Sequence, residues 1–184
     1  DALNWYAGVV GEDAAALTTG LGDLQAPERT LFLPYLGGER TPHNDARIRG
    51  AFLHLDHGAD RTALTRAVLE GVTHAFRDSF DALTGTGTKI DRLIAVGGGS
   101  RSEYWLKAIA TSLGMPVERP VAGDFGGAFG AARLGLMAAT GAEAEIATPP
   151  ATEGVIEPDP ALKDAFAEAH SRYRASYAAL RDLT

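Results

Sequence analysis

The longest periodic pattern of hydrophobic residues lies in the middle of the chain, over residues 60–83. Its apolar side chains recur every three or four residues and therefore share one face of a helix. They are Leu64, Val68, Val72, Phe76, Phe80 and Leu83. Asp60 or Thr62 can cap the first turn, because a short polar side chain accepts a free backbone N–H there. The run Thr-Gly-Thr-Gly-Thr at 84–88 predicts the end of this helix.

Three other stretches also have helical spacing. Residues 1–21 predict one or two helices, with Gly8 and Gly11 as interruptions. Residues 102–113 predict a second amphipathic helix, and the segment from Pro158 onward predicts a third. The apolar stripe of the last one consists of Leu162, Phe166, Tyr173, Tyr177 and Leu180.

Short apolar runs between these helices predict β-strands. They cover residues 30–33, 50–55, 92–96 and 115–118. Helices that alternate with short strands indicate an α/β fold.

Composition excludes several classes of protein. The chain has 184 residues, of which 45% are hydrophobic and 22% charged, so it is not mostly disordered. Its net charge of −7 repels polyanions and argues against binding to nucleic acid or to an acidic membrane surface. No apolar run reaches the ~20 residues of a membrane span. The absence of Cys excludes disulfides and thiol catalysis and is typical of a cytoplasmic protein.

The first residues predict that the chain is processed or is a piece of something longer. It opens on Asp1, with neither an initiator Met nor a signal peptide.

Glycine is enriched, at 22 of 184 residues, and one concentration follows the predicted strand 92–96. Gly97, Gly98 and Gly99 lead through Ser100 into the helix that starts near Ser102. Glycines let a ligand approach the backbone, and the N–H groups at a helix start favour anions or polar ligand edges. A plain strand-to-helix turn remains an equal alternative on this pattern. The spacing matches neither a P-loop nor a dinucleotide fingerprint.

A second glycine-rich segment spans residues 123–132. Asp124 can cap a helix of small residues that runs from Phe125 to Ala139. Such a surface permits either tight packing or a sliding contact between domains, and the pattern leaves both open.

Other polar groups give weaker indications. Glu39 stands next to Arg40 in a polar loop, where a solvated ion pair is more common than a binding role. His54 and His57 have no evident third ligand, so no metal site is predicted. Ser100 is not in a Gly-x-Ser-x-Gly setting, so a hydrolase nucleophile is unsupported.

Four motifs in order resemble the FGGY family of carbohydrate kinases. They are Phe-Leu-Pro-Tyr-Leu-Gly-Gly-Glu-Arg-Thr-Pro-His-Asn-Asp at 32–45, Ala-Val-Leu-Glu-Gly-Val at 67–72, Gly-Gly-Gly-Ser-Arg-Ser-Glu-Tyr-Trp at 97–105 and Gly-Ala-Ala-Arg-Leu at 130–134. The chain departs from the second family signature at His54, where glycine is usual, and at Ala63, where a polar residue is usual. A third departure is Asp-Ala-Arg-Ile-Arg-Gly at 45–50, where many relatives have Asp-Pro-x-Ala-Arg-Gly.

The resemblance implies a ribonuclease-H-like, actin- and hexokinase-like domain, with residues 1–184 forming most of the second, nucleotide-side domain of a two-domain kinase. It implies ATP and Mg²⁺ as cofactors and transfer of the γ-phosphoryl group to D-xylulose. The nucleotide contacts carried over are Gly97, Gly98, Gly99 and Ser102. The catalytic Asp and the sugar contacts belong to the first domain, so no catalytic residue is expected here and the isolated chain is predicted to be inactive.

Two alternatives to the D-xylulose prediction remain open. One is a sibling kinase of the family for another sugar or polyol, and the other is a non-catalytic ATP-binding module. The residues do not decide between a monomer and a homodimer.

Overall fold

The computed structural model describes residues 1–121, 126–142, 146 and 151–183. The helices are α1 Ala2–Val10, α2 Ala14–Thr18, α3 Arg61–Gly85, α4 Glu103–Leu113, α5 Gly126–Thr140 and α6 Lys163–Leu180. The strands are β1 Leu31–Leu33, β2 Ala51–Leu53, β3 Leu93–Ile94, β4 Val117–Pro120 and β5 Thr152–Ile156. Short 3₁₀ turns cover Gly98–Arg101 and Arg181–Leu183.

The strands form two small sheets. β1 and β2 are antiparallel, with Phe32 opposite Phe52. β4 is the centre of the second sheet, parallel to β3 and antiparallel to β5. The parallel pair β3–β4 is joined through the 3₁₀ turn and α4, so this part of the chain is a β-α-β unit.

Helix α3 is the central support of the structure. The Asp60 side chain caps it by accepting the Ala63 N–H at 2.8 Å, as the sequence predicts. In its middle, Val68 and Leu69 are completely buried. Gly71 lies so close to β1 that a Cβ on it would stand 2.1 Å from the Phe32 carbonyl oxygen. The absence of a side chain at this position therefore lets the helix rest directly on the strand.

The helix predictions agree with the structure more closely than the strand predictions do. Gly11 ends α1 in the left-handed conformation, at φ 70°, whereas Gly8 lies inside the helix. The predicted strand 92–96 is reduced to β3, and the predicted strand 115–118 is shifted to β4. Strand β5 was not predicted at all.

The predicted apolar face of α3 is only partly buried. Phe76 and Leu83, which belong to the predicted apolar face, are 46% and 50% exposed. In the same half of the helix the buried side chains are polar and include His74 and Asp78. The spacing identifies an apolar face correctly, but in the second half of α3 this face borders a cavity.

His54, the first departure from the family signature, occupies a conformation that favours glycine. Its φ is 60°, in the left-handed region. The usual glycine at this position is thereby explained, and histidine is among the side chains that tolerate the region best.

Helix α5 is mostly exposed, and within the described ranges only its residues Gly126, Arg133 and Met137 are partly buried. It has no buried residue, and a Cβ on Gly127, Gly130 or Gly135 would meet no atom within 4 Å. Gly126 is the exception, because its Cβ would stand 2.9 Å from Val96. The predicted cap Asp124 and the predicted first residue Phe125 lie outside the described residues.

Glu70 is a buried carboxyl group on α3, only 3% exposed. Burial raises its pKa to about 8, and the negative charge of Glu28 adds to that shift. Arg66 and Arg172 oppose it without cancelling it. At neutral pH the Glu70 side chain is therefore mostly protonated in the folded protein.

The raised pKa of Glu70 predicts that the free energy of unfolding falls as pH rises. An unfolded glutamate releases its proton near pH 4.5, whereas the folded one retains it to about pH 8. Between these values each pH unit therefore costs up to about 1.4 kcal/mol of stability. Glu70→Gln keeps the shape and stays neutral, so its stability relative to the original protein should increase from pH 5 to pH 8. Urea unfolding at several pH values measures this, and parallel curves for the two proteins would contradict it.

Candidate functional site

A large cavity of about 960 Å³ opens beside the glycine turn. Its lining comes from α1 and α2, the second half of α3, β3, the turn and α4. One wall is apolar and includes Phe76, Phe80 and Leu83. Polar groups also line the cavity, among them Asn4 and Ser102, together with residues of the glycine turn. A ligand with one flat apolar part and several polar edges fits such a lining.

The glycine turn has the sharp geometry that the sequence predicts. Gly97 has φ 88°, which favours glycine, and the chain then passes directly into the 3₁₀ turn Gly98–Arg101. The Ser100 hydroxyl donates to the Gly97 carbonyl oxygen at 2.7 Å, and Ser100 is buried. Ser100 therefore supports the turn from within and is not presented as a nucleophile.

The next two glycines face different surroundings. A Cβ on Gly98 would meet nothing within 4 Å, so its backbone is open to a ligand. A Cβ on Gly99 would stand 2.7 Å from the six-membered ring of Trp105. Gly98 thus leaves room for a ligand, whereas Gly99 leaves room for the Trp105 ring.

Ser102 serves as the N-cap of α4. Its Oγ accepts the Trp105 backbone N–H at 3.3 Å. A hydroxyl that accepts one bond can still donate its own proton to a ligand. The nucleotide contact carried over to Ser102 is compatible with this arrangement and stays a prediction, as do those of Gly97, Gly98 and Gly99.

Helices α1 and α2 bring residues to the cavity that the sequence analysis missed. Asn4, Asp13 and Thr18 line it, although they precede Gly97 by 79 to 93 positions in the chain. Asp13 already accepts two backbone N–H groups, from Ala15 and Ala16, as the cap of α2. Nothing in the spacing of these residues marks them as partners of the turn.

The charged residues that line the cavity favour binding of an uncharged part of a ligand. Asp1 and Asp13 contribute negative charges, and Arg101 contributes a positive one. A triphosphate next to the two carboxylates would be repelled. The open glycine backbone and the apolar wall suit a nucleoside better than its phosphates.

The polar loop 34–45 does not contribute to this site. None of its described residues lines the cavity. Glu39 accepts the backbone N–H of His43 at 2.7 Å, and the His43 ring stacks on Tyr177, with ring centroids 3.7 Å apart. Asp78 lies under the loop and pairs with His170 at 2.8 Å. The loop is thereby fixed to α3 and α6.

Within the described ranges, no helix has both the length and the apolar composition needed to cross a lipid bilayer.

Comparison with known proteins identifies the family. The C-terminal domain of the FGGY family of carbohydrate kinases matches residues 10–139. The chain belongs to the FGGY family of carbohydrate kinases. Its resemblance to this family, seen first in four sequence motifs, is therefore confirmed.

Three individual kinases resemble this chain in sequence or in structure. The xylulose kinase of Escherichia coli K12 is 42% identical over 138 residues, which are 69% of this chain and 28% of that protein. A xyloylose kinase from Brucella ovis has 59% identity and a TM-score of 0.89, over 100% of this chain and 39% of the other. The xylulose kinase of Rhodospirillum rubrum has 31% identity and a TM-score of 0.79, over 99% of this chain and 37% of the other.

These FGGY kinases confirm the predicted α/β, actin- and hexokinase-like fold. The chain spans between about a quarter and two fifths of the length of these relatives. The matched family is one of carbohydrate kinases, in agreement with the resemblance seen in the sequence.

Proposed function

We propose that the chain is the C-terminal, nucleotide-side domain of a longer kinase that phosphorylates D-xylulose with ATP. The observation that carries this proposal is the bare Gly98 backbone at a large cavity, in a chain that belongs to the FGGY family. The similarity to xylulose kinases supports D-xylulose as the sugar.

In this proposal Gly97, Gly98 and Gly99 form the backbone surface on which the adenosine part of ATP rests. The Ser102 hydroxyl donates a hydrogen bond to the ribose or adenine while it continues to cap α4. These groups bind and orient ATP but do not touch the transferred phosphoryl group. Their contribution to the rate is therefore correct placement of one substrate.

The chemical step is assigned to parts of the kinase outside this chain. There a carboxylate takes the proton of the sugar's 5-hydroxyl as that oxygen attacks the γ-phosphorus, and ADP leaves with the bridging oxygen. Mg²⁺ neutralises phosphate charge in such a reaction. Mg²⁺ in kinase sites is held by the substrate phosphates, water and one or two carboxylates, and the Mg²⁺ is proposed to bind the phosphates of ATP together with residues beyond this chain.

Apolar side chains line much of the cavity. We infer that the rest of the kinase covers Phe76, Phe80 and Leu83 and leaves the part of the cavity near Gly98 for ATP. The length of the relatives, more than twice that of this chain, supplies enough protein for that cover.

The test is phosphorylation of a panel of sugars and polyols by the full-length kinase with MgATP. We expect D-xylulose to have the highest kcat/KM and residues 1–184 alone to show no turnover. Preference for ribulose, glycerol or gluconate would instead identify a sibling kinase. ATP binding without any phosphorylation would identify a binding module. Turnover by the isolated chain would contradict the assignment of the base to another domain.

The small residues of α5 predict a role in domain closure. Because a Cβ at Gly130 meets nothing in the described part of this chain, packing against that part does not account for the glycine. Gly130→Leu should hinder the approach of a second domain and lower kcat severalfold, since closure excludes water from phosphoryl transfer. The melting temperature should change little.

Gly135→Leu is the matched control for this prediction. Gly135 lies on the same helix with equally open surroundings, but five residues rotate it by about 140° from Gly130. We expect this variant to keep its kcat. A large fall in melting temperature with normal kcat for Gly130→Leu would rule out the closure role.

A further inference from the structure

Trp105 contacts the glycine turn at two points. Its ring lies directly under Gly99, where a Cβ would stand 2.7 Å from Cζ3. Its backbone N–H donates to the Ser102 Oγ at 3.3 Å. One residue in the first turn of α4 therefore contacts the segment proposed to bind the nucleotide both at Gly99 and at Ser102.

The same side chain also reaches the central helix. The Trp105 indole N–H donates to the Leu69 carbonyl oxygen at 3.1 Å and to the Thr73 Oγ1 at 3.2 Å. Leu69 and Thr73 are completely buried, so both acceptors have fixed positions. Gly71 lies between them in the chain and rests on β1. The ring under Gly99 is thereby anchored to the buried middle of α3.

Simple core filling does not explain this arrangement. Leucine or phenylalanine fills an apolar site without a hydrogen-bond requirement, whereas an indole must satisfy its N–H. Here the hydrogen bond from the indole N–H fixes the orientation of the Trp105 ring. That orientation determines how closely the Gly99 backbone can approach the ring. Trp105 is also only partly buried and contributes to the cavity lining.

We propose that Trp105 is a positioning residue that sets the place of the Gly98–Gly99 backbone relative to the bound nucleotide. The inference rests on the proposed ATP site. In this role Trp105 holds the turn in a fixed position relative to α3. Its indole N–H is required for the contact with α3, and its ring edge is required for the contact with Gly99.

Two substitutions and their combination test the role in the full-length kinase. Trp105→Phe removes the indole N–H and the ring edge that faces Gly99. Gly99→Ala adds a methyl group that pushes against the intact ring. In the double variant the added methyl occupies the space that the missing ring edge leaves. The matched control is Trp5→Phe, because Trp5 stacks on Phe32 and does not line the cavity.

Each single variant should weaken binding of the nucleotide and leave binding of the sugar nearly unchanged. We expect the Kd for ADP, measured by calorimetry, and the KM for ATP to rise about tenfold, with KM for D-xylulose within about twofold of the original. The double variant should bind ADP better than either single variant, because neighbouring changes that compensate are not additive. Trp5→Phe should leave the Kd for ADP unchanged.

Several results would overturn the proposal. One is a lower melting temperature with an unchanged Kd for ADP in both single variants. Another is a double variant whose loss of ADP binding free energy equals the sum of the losses in the two single variants. If Trp105→Phe does not fold, Gly99→Ala still decides, because unchanged ADP binding by that variant contradicts the role. Failure of the original kinase to bind ADP would instead refute the proposed function.

Discussion

Gly71→Ala should destabilise the protein more than any other single methyl group added to a described glycine. Its Cβ would stand 2.1 Å from the Phe32 carbonyl oxygen and 3.0 Å from the carbonyl carbon. Because both are backbone atoms of a buried strand, neither can rotate away. Separating α3 from β1 loosens the main core, and we expect a loss of about 3 kcal/mol or more. For a domain of this size the melting temperature should fall by about 6–12 °C.

The control for this change is the same substitution in another helix. Gly8 lies within α1, and a Cβ there would meet nothing within 4 Å. Alanine is a better helix former than glycine, so Gly8→Ala should stabilise the protein by about 0.5–1 kcal/mol. Changes of opposite sign in the free energy of unfolding of the two variants, measured with urea, would establish that close approach to β1, and not helix propensity, requires Gly71. Equal effects would contradict it.

Local chemistry allowed several elements to be predicted from the sequence. The Asp60 cap and the helix interruption at Gly11 depend only on neighbouring residues. Gly97 likewise adopts the positive φ that a sharp strand-to-helix turn requires. These features follow from short-range hydrogen bonds and backbone sterics, which a single sequence displays directly.

The elements that were mispredicted depend on distant contacts. Periodicity marks Phe76 and Leu83 as apolar but does not reveal that they border a cavity. Strand β5 contains Gly154 and an exposed Glu153, and it forms because β4 offers a free edge. Such pairing is determined by tertiary context more than by the intrinsic preference of the segment.

The candidate site was found only in part for the same reason. The glycine turn is visible because its residues are consecutive, and the family resemblance added a nucleotide role to it. Asn4 and Thr18 reach the cavity only through the packing of α1 and α2 against α3. The different surroundings of Gly98 and Gly99 are also a tertiary property, since they depend on the Trp105 ring.

Gly98→Val should produce the largest loss of nucleotide affinity among the predicted variants. Gly98 does not have the positive φ of Gly97, so its backbone accepts a side chain, and a Cβ there meets no protein atom within 4 Å. The fold should therefore survive. If the adenosine part of ATP rests on this backbone, a branched side chain displaces it, and steric exclusion of about 1.4–2.8 kcal/mol corresponds to a rise of about 10- to 100-fold in Kd.

ADP calorimetry and ATP kinetics on the full-length kinase measure the effect, with Gly98→Ala as an intermediate step. Because alanine adds only the Cβ, its Kd should lie between those of the original and the valine variant. Gly37→Val is the matched control, since Gly37 is equally open but belongs to the loop that does not line the cavity. It should leave the Kd for ADP unchanged. If Gly98→Val keeps the original Kd for ADP and KM for ATP, the open side of the turn does not face the nucleotide, and Gly98 has only a structural role.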